Sequence, residues 1–252
     1  MSLRVDVPDG GPLIGDFERE FNFAPVPYGN AQKGRAFVEQ IHTALGNPWY
    51  LFFGEVLAEW DLYLDQQKRL ETPELADLDN YAKLLCDAIK GPSGILIDDA
   101  QIQKLSVIWI DTPEPPHFTL KLRPNVLDEF VLKPIILYEM PDGLFYPVPS
   151  KTLEDGTPTD LPEDDLRAIL SSLYELTWAK RHIRHVLRQQ GVRPQKAFRD
   201  SLHLGPILTG FHKSRTEQTG FARRELADWK SEYSIEEVPK GIMAEDHTAE
   251  SE

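Results

Sequence analysis

Residues 77–102, DLDNYAKLLCDAIKGPSGILIDDAQI, decide how this chain is read. Leu78, Tyr81, Ala82, Leu85, Ala88 and Ile89 recur at the spacing of one helical stripe, and Gly91 followed by Pro92 stops the helix. Asp77 and Asp79 flank its start. Asp79, Lys83 and Asp87 step by four residues along one side, and their angle to the stripe puts Asp79 and Lys83 at the edge of the core. GILID reads as a short apolar strand ending in Asp98 and Asp99. Successive strand residues face opposite ways, so one of the two would point toward the N-terminal end of the neighbouring helix. Three carboxylates would then converge.

At a spacing of about 5 Å, each such pair repels by on the order of 3 kcal/mol at an effective dielectric near 20, so the cluster needs a cation. Magnesium suits it, because a hard ion takes carboxylate oxygens and keeps waters that exchange for phosphate oxygens. Lys83, one turn on from Asp79, would place an ammonium on the phosphate or the leaving oxygen. Taken singly, each aspartate has an ordinary explanation as a helix cap or a turn residue. The conjunction of Asp-x-Asp, the lysine and the second acidic pair points to phosphodiester hydrolysis.

Outward from this stretch, EVLAEWDLYLD alternates apolar Val56, Ala58, Trp60, Leu62 and Leu64 with mostly polar neighbours, the period of a half-buried strand. Before it, REFNFAPVP reads as a strand running into a proline-stiffened turn. A helix follows, with Phe37, Ile41 and Leu45 on one face and its end near Gly46. After it, QKLSVIWID and HFTLKLR read as a hairpin joined by TPEPP. A second hairpin is expected around Pro141, Asp142 and Gly143, then a polar linker, SKTLEDGTPTD. Asp160 is expected to cap a long helix with Pro162 in its first turn and Leu166, Ile169, Leu170, Leu173, Leu176, Ile183 and Leu187 on its buried stripe. A further helix is expected within RRELADWKSEY.

The expected fold class is α+β, a mixed β-sheet with packed helices and a mainly helical C-terminal extension. Its expected segments are a nuclease domain over 1–124, a β-hairpin and linker over 125–161, a helical region over 162–238 and a disordered tail over 239–252. No stretch approaches the roughly 20 apolar residues that span a bilayer, and the opening residues lack a secretory apolar segment, so no membrane partner and a cytoplasmic place are expected. Cys86 is the sole cysteine, which excludes an internal disulfide and a cysteine-based zinc site.

The aspartate-lysine core resembles the RusA family of Holliday-junction resolvases. The matching residues are Asp77, Leu78, Asp79, Asn80, Lys83, Asp87 and Ala88, then Asp98, Asp99, Ala100, Gln101 and Ile102; the earlier turn with Pro25, Pro27 and Asn30 follows the same order. The similarity runs from about Glu18 to Arg123. It implies a homodimer that places paired, symmetric nicks in four-way DNA junctions with magnesium, manganese substituting. Carried over position by position, Asp77, Asp79 and Asp99 would bind metal, Lys83 would assist at the phosphate and Asp98 would be an accessory ligand.

The net charge of −14 opposes a DNA partner, and residues 1–124 hold 11 Lys and Arg against 19 Asp and Glu. Local cations would offset this. Lys33 and Arg35 follow the proline turn, where they would meet DNA backbone. Lys180, Arg184 and Arg188 share one line on the long helix with Arg181 beside them, a spacing that would follow a phosphate backbone, although cations near a helix C-terminus also complement its dipole. His182 and His185 have no Cys or acid beside them in sequence, so a surface role is expected for both. Two rival readings remain: a noncatalytic DNA-binding or assembly protein on a nuclease fold, and an Asp-x-Asp glycosyltransferase. The second expects its motif at the end of an apolar strand, whereas here the motif opens a helix.

Overall fold

Alternation along β3 (Val56–Leu64) buries Val56, Ala58, Trp60, Leu62 and Leu64, and this strand becomes an inner member of the main sheet. The computed structural model describes residues 16–73, 75–125, 130–152, 158–202, 209–233 and 235. The chain divides into two units, Met1–Leu132 and Lys133–Glu252, and each mixes helices with strands in an α+β arrangement.

The first unit begins with β1 (Phe17–Phe21) and α1 (Ala31–Leu45). Asn30 caps α1, its side chain accepting from the backbone N–H groups of Gln32 and Lys33; Gly46 ends it at φ 70°, a conformation glycine adopts without steric cost. After β2 (Tyr50–Phe52) and β3 come α2 (Gln66–Glu71), α3 (Leu78–Ala88), β4 (Ile102–Asp111), β5 (His117–Pro124) and β6 (Phe130–Leu132). The main sheet has the order β1-β5-β3-β4, with β4 parallel to β3 and β5 antiparallel to it, and β2 pairs with β6. Phe21, Phe37, Ile41, Trp60, Leu85 and Phe118 fill the core, where Phe21 stacks on Phe118 at 4.7 Å.

Three expectations are corrected here. β4 and β5 are not hairpin partners, because β4 returns parallel to β3 by way of α3, and β5 pairs on β3's other side. The TPEPP segment steps across β3, two strand spacings or about 10 Å, well within the reach of five residues. GILID forms no strand: Ile95, Leu96 and Ile97 are fully buried in a turn, with an isolated bridge from Leu96 to Phe52 of β2. The buried face of α3 centres on Tyr81, Leu84, Leu85 and Ala88, which turns Asp79 and Lys83 to the opposite, exposed side rather than to the core's edge.

In the second unit, β7 (Ile135–Glu139) and β8 (Leu144–Pro149) form the expected hairpin around Pro141, Asp142 and Gly143. Next come β9 (Lys151–Thr152), β10 (Pro158–Thr159), α4 (Glu163–Gln189), α5 (Pro194–Leu202), β11 (Phe211–His212), α6 (Lys213–Thr216), β12 (Ala222–Arg224) and α7 (Leu226–Glu232). The sheet order is β11-β8-β7-β12. Ile136, Tyr138, Tyr146 and Val148 of the hairpin pack with Leu166, Leu170 and Tyr174 of α4 and with Trp229 of α7, whose indole N–H donates to the Glu139 carbonyl at 2.9 Å.

Asp160 does not cap α4. Pro162 holds the cap position, and the Asp160 carboxylate instead accepts hydrogen bonds from the hydroxyls of Tyr138 and Tyr233 and pairs with Arg224 at 3.5 Å. Burial and this carboxylate push the Tyr233 hydroxyl up to about 12. The middle of the expected linker, 153–157, and the expected tail, 239–252, lie outside the described residues.

Candidate active site

Asp77 occupies the N-cap position of α3, yet its side chain makes no capping hydrogen bond; the turn closes through backbone, Asn80 N–H to the Asp77 carbonyl at 3.1 Å. A carboxylate at a cap normally accepts from the second or third helical N–H. Here it is exposed, with Asp79 exposed in the first turn and Lys83 exposed one turn further. Both acids lie at the positive end of the helix, which favours their charge. The ordinary explanation for Asp77, a cap, is therefore absent from its contacts.

Lys83 has a partner that sequence patterning did not single out. Its Nζ lies 4.0 Å from the ring centroid of Tyr28, in the turn after Pro25 and Pro27. That turn is tied to α3 by a hydrogen bond from the Tyr28 N–H to the Asn80 carbonyl at 2.9 Å. Beyond it, Lys33 and Arg35 project from the first turns of α1 and are exposed. Tyr28, Arg35 and Leu84 line one cavity where α1 meets α3, and Lys83 adjoins it through the Tyr28 ring. The signal that could have found it is the tyrosine within the Pro27-Tyr28-Gly29-Asn30 turn.

The second acidic pair is arranged differently from the first. Asp98 is only 4% exposed, and its carboxylate accepts from the Ala100 N–H within a capping box that it forms with Gln101. Gln101 is the hub of this loop: its Oε1 accepts from the Ile97 and Asp98 N–H groups, and its Nε2 donates to the carbonyls of Phe52 and Gly54. The Asp-x-x-Gln spacing carried that signal. Asp99 is half-exposed and pairs with Lys90 at 3.6 Å, while Lys90 also binds Asp87 at 2.7 Å. Burial alone would lower Lys90, but its bond to Asp87 and the charges of Asp99 and Asp98 hold it above its ordinary value. Cys86, buried beside Asp99 and Asp87, is pushed up to about 11.

Asp77 and Asp79 therefore sit at the start of α3, whereas Asp99 is engaged by Lys90 beyond its other end. Among the described residues no three His, Cys, Asp or Glu side chains are grouped to hold a metal. The exposed Asp77 and Asp79 carboxylates have the hard oxygen donors that magnesium takes. Asp99 in this arrangement is the partner of an ammonium.

The cations of the second unit are largely built into its own packing. Lys180 is 4% exposed, Arg181 donates to the Pro141 carbonyl at 2.5 Å, and Arg184 donates to the Ser201 hydroxyl at 2.7 Å while lying over the Phe198 ring. Arg188 is exposed. Burial lowers both Lys180 and Arg184 from their ordinary values. His182 stacks on Trp178 at 5.2 Å. Arg184→Gln is expected to destabilise this unit by about 1–3 kcal/mol through the lost charged hydrogen bond, while Arg188→Gln should stay within about 0.5 kcal/mol. Urea unfolding of the two variants checks this; equal midpoints would mean that Arg184 is not structural.

Among known families, residues 35–122 match the model described as Endodeoxyribonuclease RusA, a span that lies within the first unit and includes Asp77, Asp79, Lys83, Asp98 and Asp99. A comparison with curated proteins gives no match. No helix among the described residues is long and apolar enough to cross a membrane.

Proposed function

We propose, from the match of residues 35–122 to the model described as Endodeoxyribonuclease RusA, that this chain is a magnesium-dependent, structure-selective DNA endonuclease that resolves four-way junctions by paired nicks during recombination and repair. The observation that carries the reading is Asp77: a carboxylate at a helix cap that leaves the cap unmade, beside exposed Asp79 and one turn from Lys83. Asp77 and Asp79 would hold the ion, with Asp99 joining them as third carboxylate if its loop moves from Lys90 toward the start of α3, and manganese would substitute. When bound, magnesium supplies Lewis-acid polarisation of the phosphate and an acidified water.

The chain's own residues do the rest. Lys83 presents an ammonium to the phosphate oxygens, where developing negative charge is stabilised. Tyr28 restrains that ammonium through its ring face. Asp98 and Gln101 fix the loop that carries Asp99. Paired nicks on opposite arms need two such sites related by symmetry, hence a homodimer.

The engagement of Asp99 by Lys90 favours one alternative, a noncatalytic DNA-binding or assembly protein that retains the nuclease fold. End-labelled four-way junctions and linear duplexes of the same sequence, incubated with magnesium or with EDTA, separate the two. Magnesium-dependent nicks confined to the junction support the nuclease. Tight junction binding without any nick in magnesium or manganese supports the alternative.

A further inference from the structure

Building on the proposed nuclease reading, we infer that Tyr28 and the cavity beside it form a subsite for one unstacked nucleobase next to the phosphate handled by Asp77, Asp79 and Lys83. Tyr28 is 52% exposed, although its backbone is anchored to α3 through Asn80. Lys83 Nζ lies 4.0 Å from its ring centroid, and the same exposed ring lines the adjoining cavity, where a base could stack on it. Every nucleobase has a π-face that stacks on an aromatic side chain.

The cavity is about 470 Å³, and Tyr28 is part of its wall. Val38, Gly34 and Leu84 supply apolar surface, while Asn30, Arg35 and Glu39 supply polar groups. Glycine inside a helix is unfavourable relative to alanine. At Gly34 a Cβ would lie 3.7 Å from a Leu84 methyl, an ordinary van der Waals contact, so α1 and α3 pack against each other along this wall. A base matches the lining because it is planar and apolar on its faces, and carries both donors and acceptors on its edge to meet Glu39 and Arg35. An aliphatic chain would leave both charged groups unused. The cations Arg35, in the lining, and Lys83, on the Tyr28 ring, favour an occupant attached to phosphates. Bases at the crossing point of a branched DNA have lost part of their stacking, so drawing one out costs less there than within a duplex.

The test uses four-way junctions with 2-aminopurine, in turn, at each position flanking the cleaved phosphate, bound by the full chain in EDTA so that no cutting occurs. Wild type and Tyr28→Phe are expected to quench the fluorescence at one position. Tyr28→Ala should lose that quench and bind about tenfold more weakly. An abasic site at the same position should bring wild type and Tyr28→Ala to within about twofold of each other. Arg35→Ala, a second variant at the rim, should weaken the quench without touching the stacking ring. If wild type binds and cuts junctions but Tyr28→Ala leaves quench and affinity unchanged, the subsite is overturned and the nuclease reading stands. If Tyr28→Ala loses the same affinity on normal and abasic junctions, Tyr28 acts only through Lys83 and the subsite is again overturned. A wild-type chain that neither binds nor cuts junctions overturns both.

Discussion

Asp77→Asn and Asp79→Asn are each expected to lower magnesium-dependent cleavage of branched DNA at least about a hundredfold, the scale on which removal of one electrostatic contact to the reacting group is felt. Folding should be nearly untouched. Both side chains are exposed, Asp77 makes no capping bond to lose, and asparagine is as good a cap as aspartate; the change in stability should stay within about 0.5 kcal/mol. Junction affinity in EDTA should be kept or rise, since a negative charge facing phosphate has been removed. Single-turnover cleavage, urea unfolding and junction titration check the three parts. Asp99→Asn belongs in the same series. If Asp99 joins the ion, its loss matches that of Asp77; if it serves only Lys90, cleavage persists and Asp99 leaves the ligand set. Normal cleavage by Asp77→Asn would contradict the site itself.

Gln101→Leu is expected to destabilise the first unit by about 3–5 kcal/mol. Leucine has similar bulk, but it leaves the N–H groups of Ile97 and Asp98 and the carbonyls of Phe52 and Gly54 without the partner they have now. Gln101 is 3% exposed, so water does not replace those bonds without rearrangement. Each buried group left unsatisfied costs about 1–3 kcal/mol, and local relaxation recovers part of the sum. The melting temperature should fall by about 10 °C or more, or folded protein should fail to accumulate. A shift below about 2 °C in the purified variant would show that the loop holds its shape without Gln101.

The burial of β3 was legible because alternation at period two is a property of neighbouring residues, and so was α1, from its apolar face and its terminal glycine. The partner of β4 was not: a hairpin and a crossover leave the same alternation in each strand, and only the parallel pairing of β3 with β4 decides between them. The acids at 77, 79, 98 and 99 were visible as a cluster in sequence. Their distribution was not, because Lys90 draws Asp99 toward Asp87, and Asp98 turns inward to close a capping box. The α4 cations show the opposite limit. Lys180 and Arg184 follow Leu166, Leu170 and Thr177 on one helical face, so position alone carries them inward, yet reading by charge had set them toward solvent. Arg184 is held within the unit by Ser201 and Phe198, and Arg181 by the Pro141 carbonyl of the hairpin turn, contacts between residues far apart in sequence.

The most direct test of the central claim is the product formed from a supercoiled plasmid that extrudes a cruciform, incubated with the purified chain and magnesium. Paired nicks within one binding event convert it to linear plasmid with cuts at the cruciform base, and this product is expected in magnesium and absent in EDTA. Intact supercoiled plasmid under both conditions, from protein shown to bind the cruciform, would contradict it.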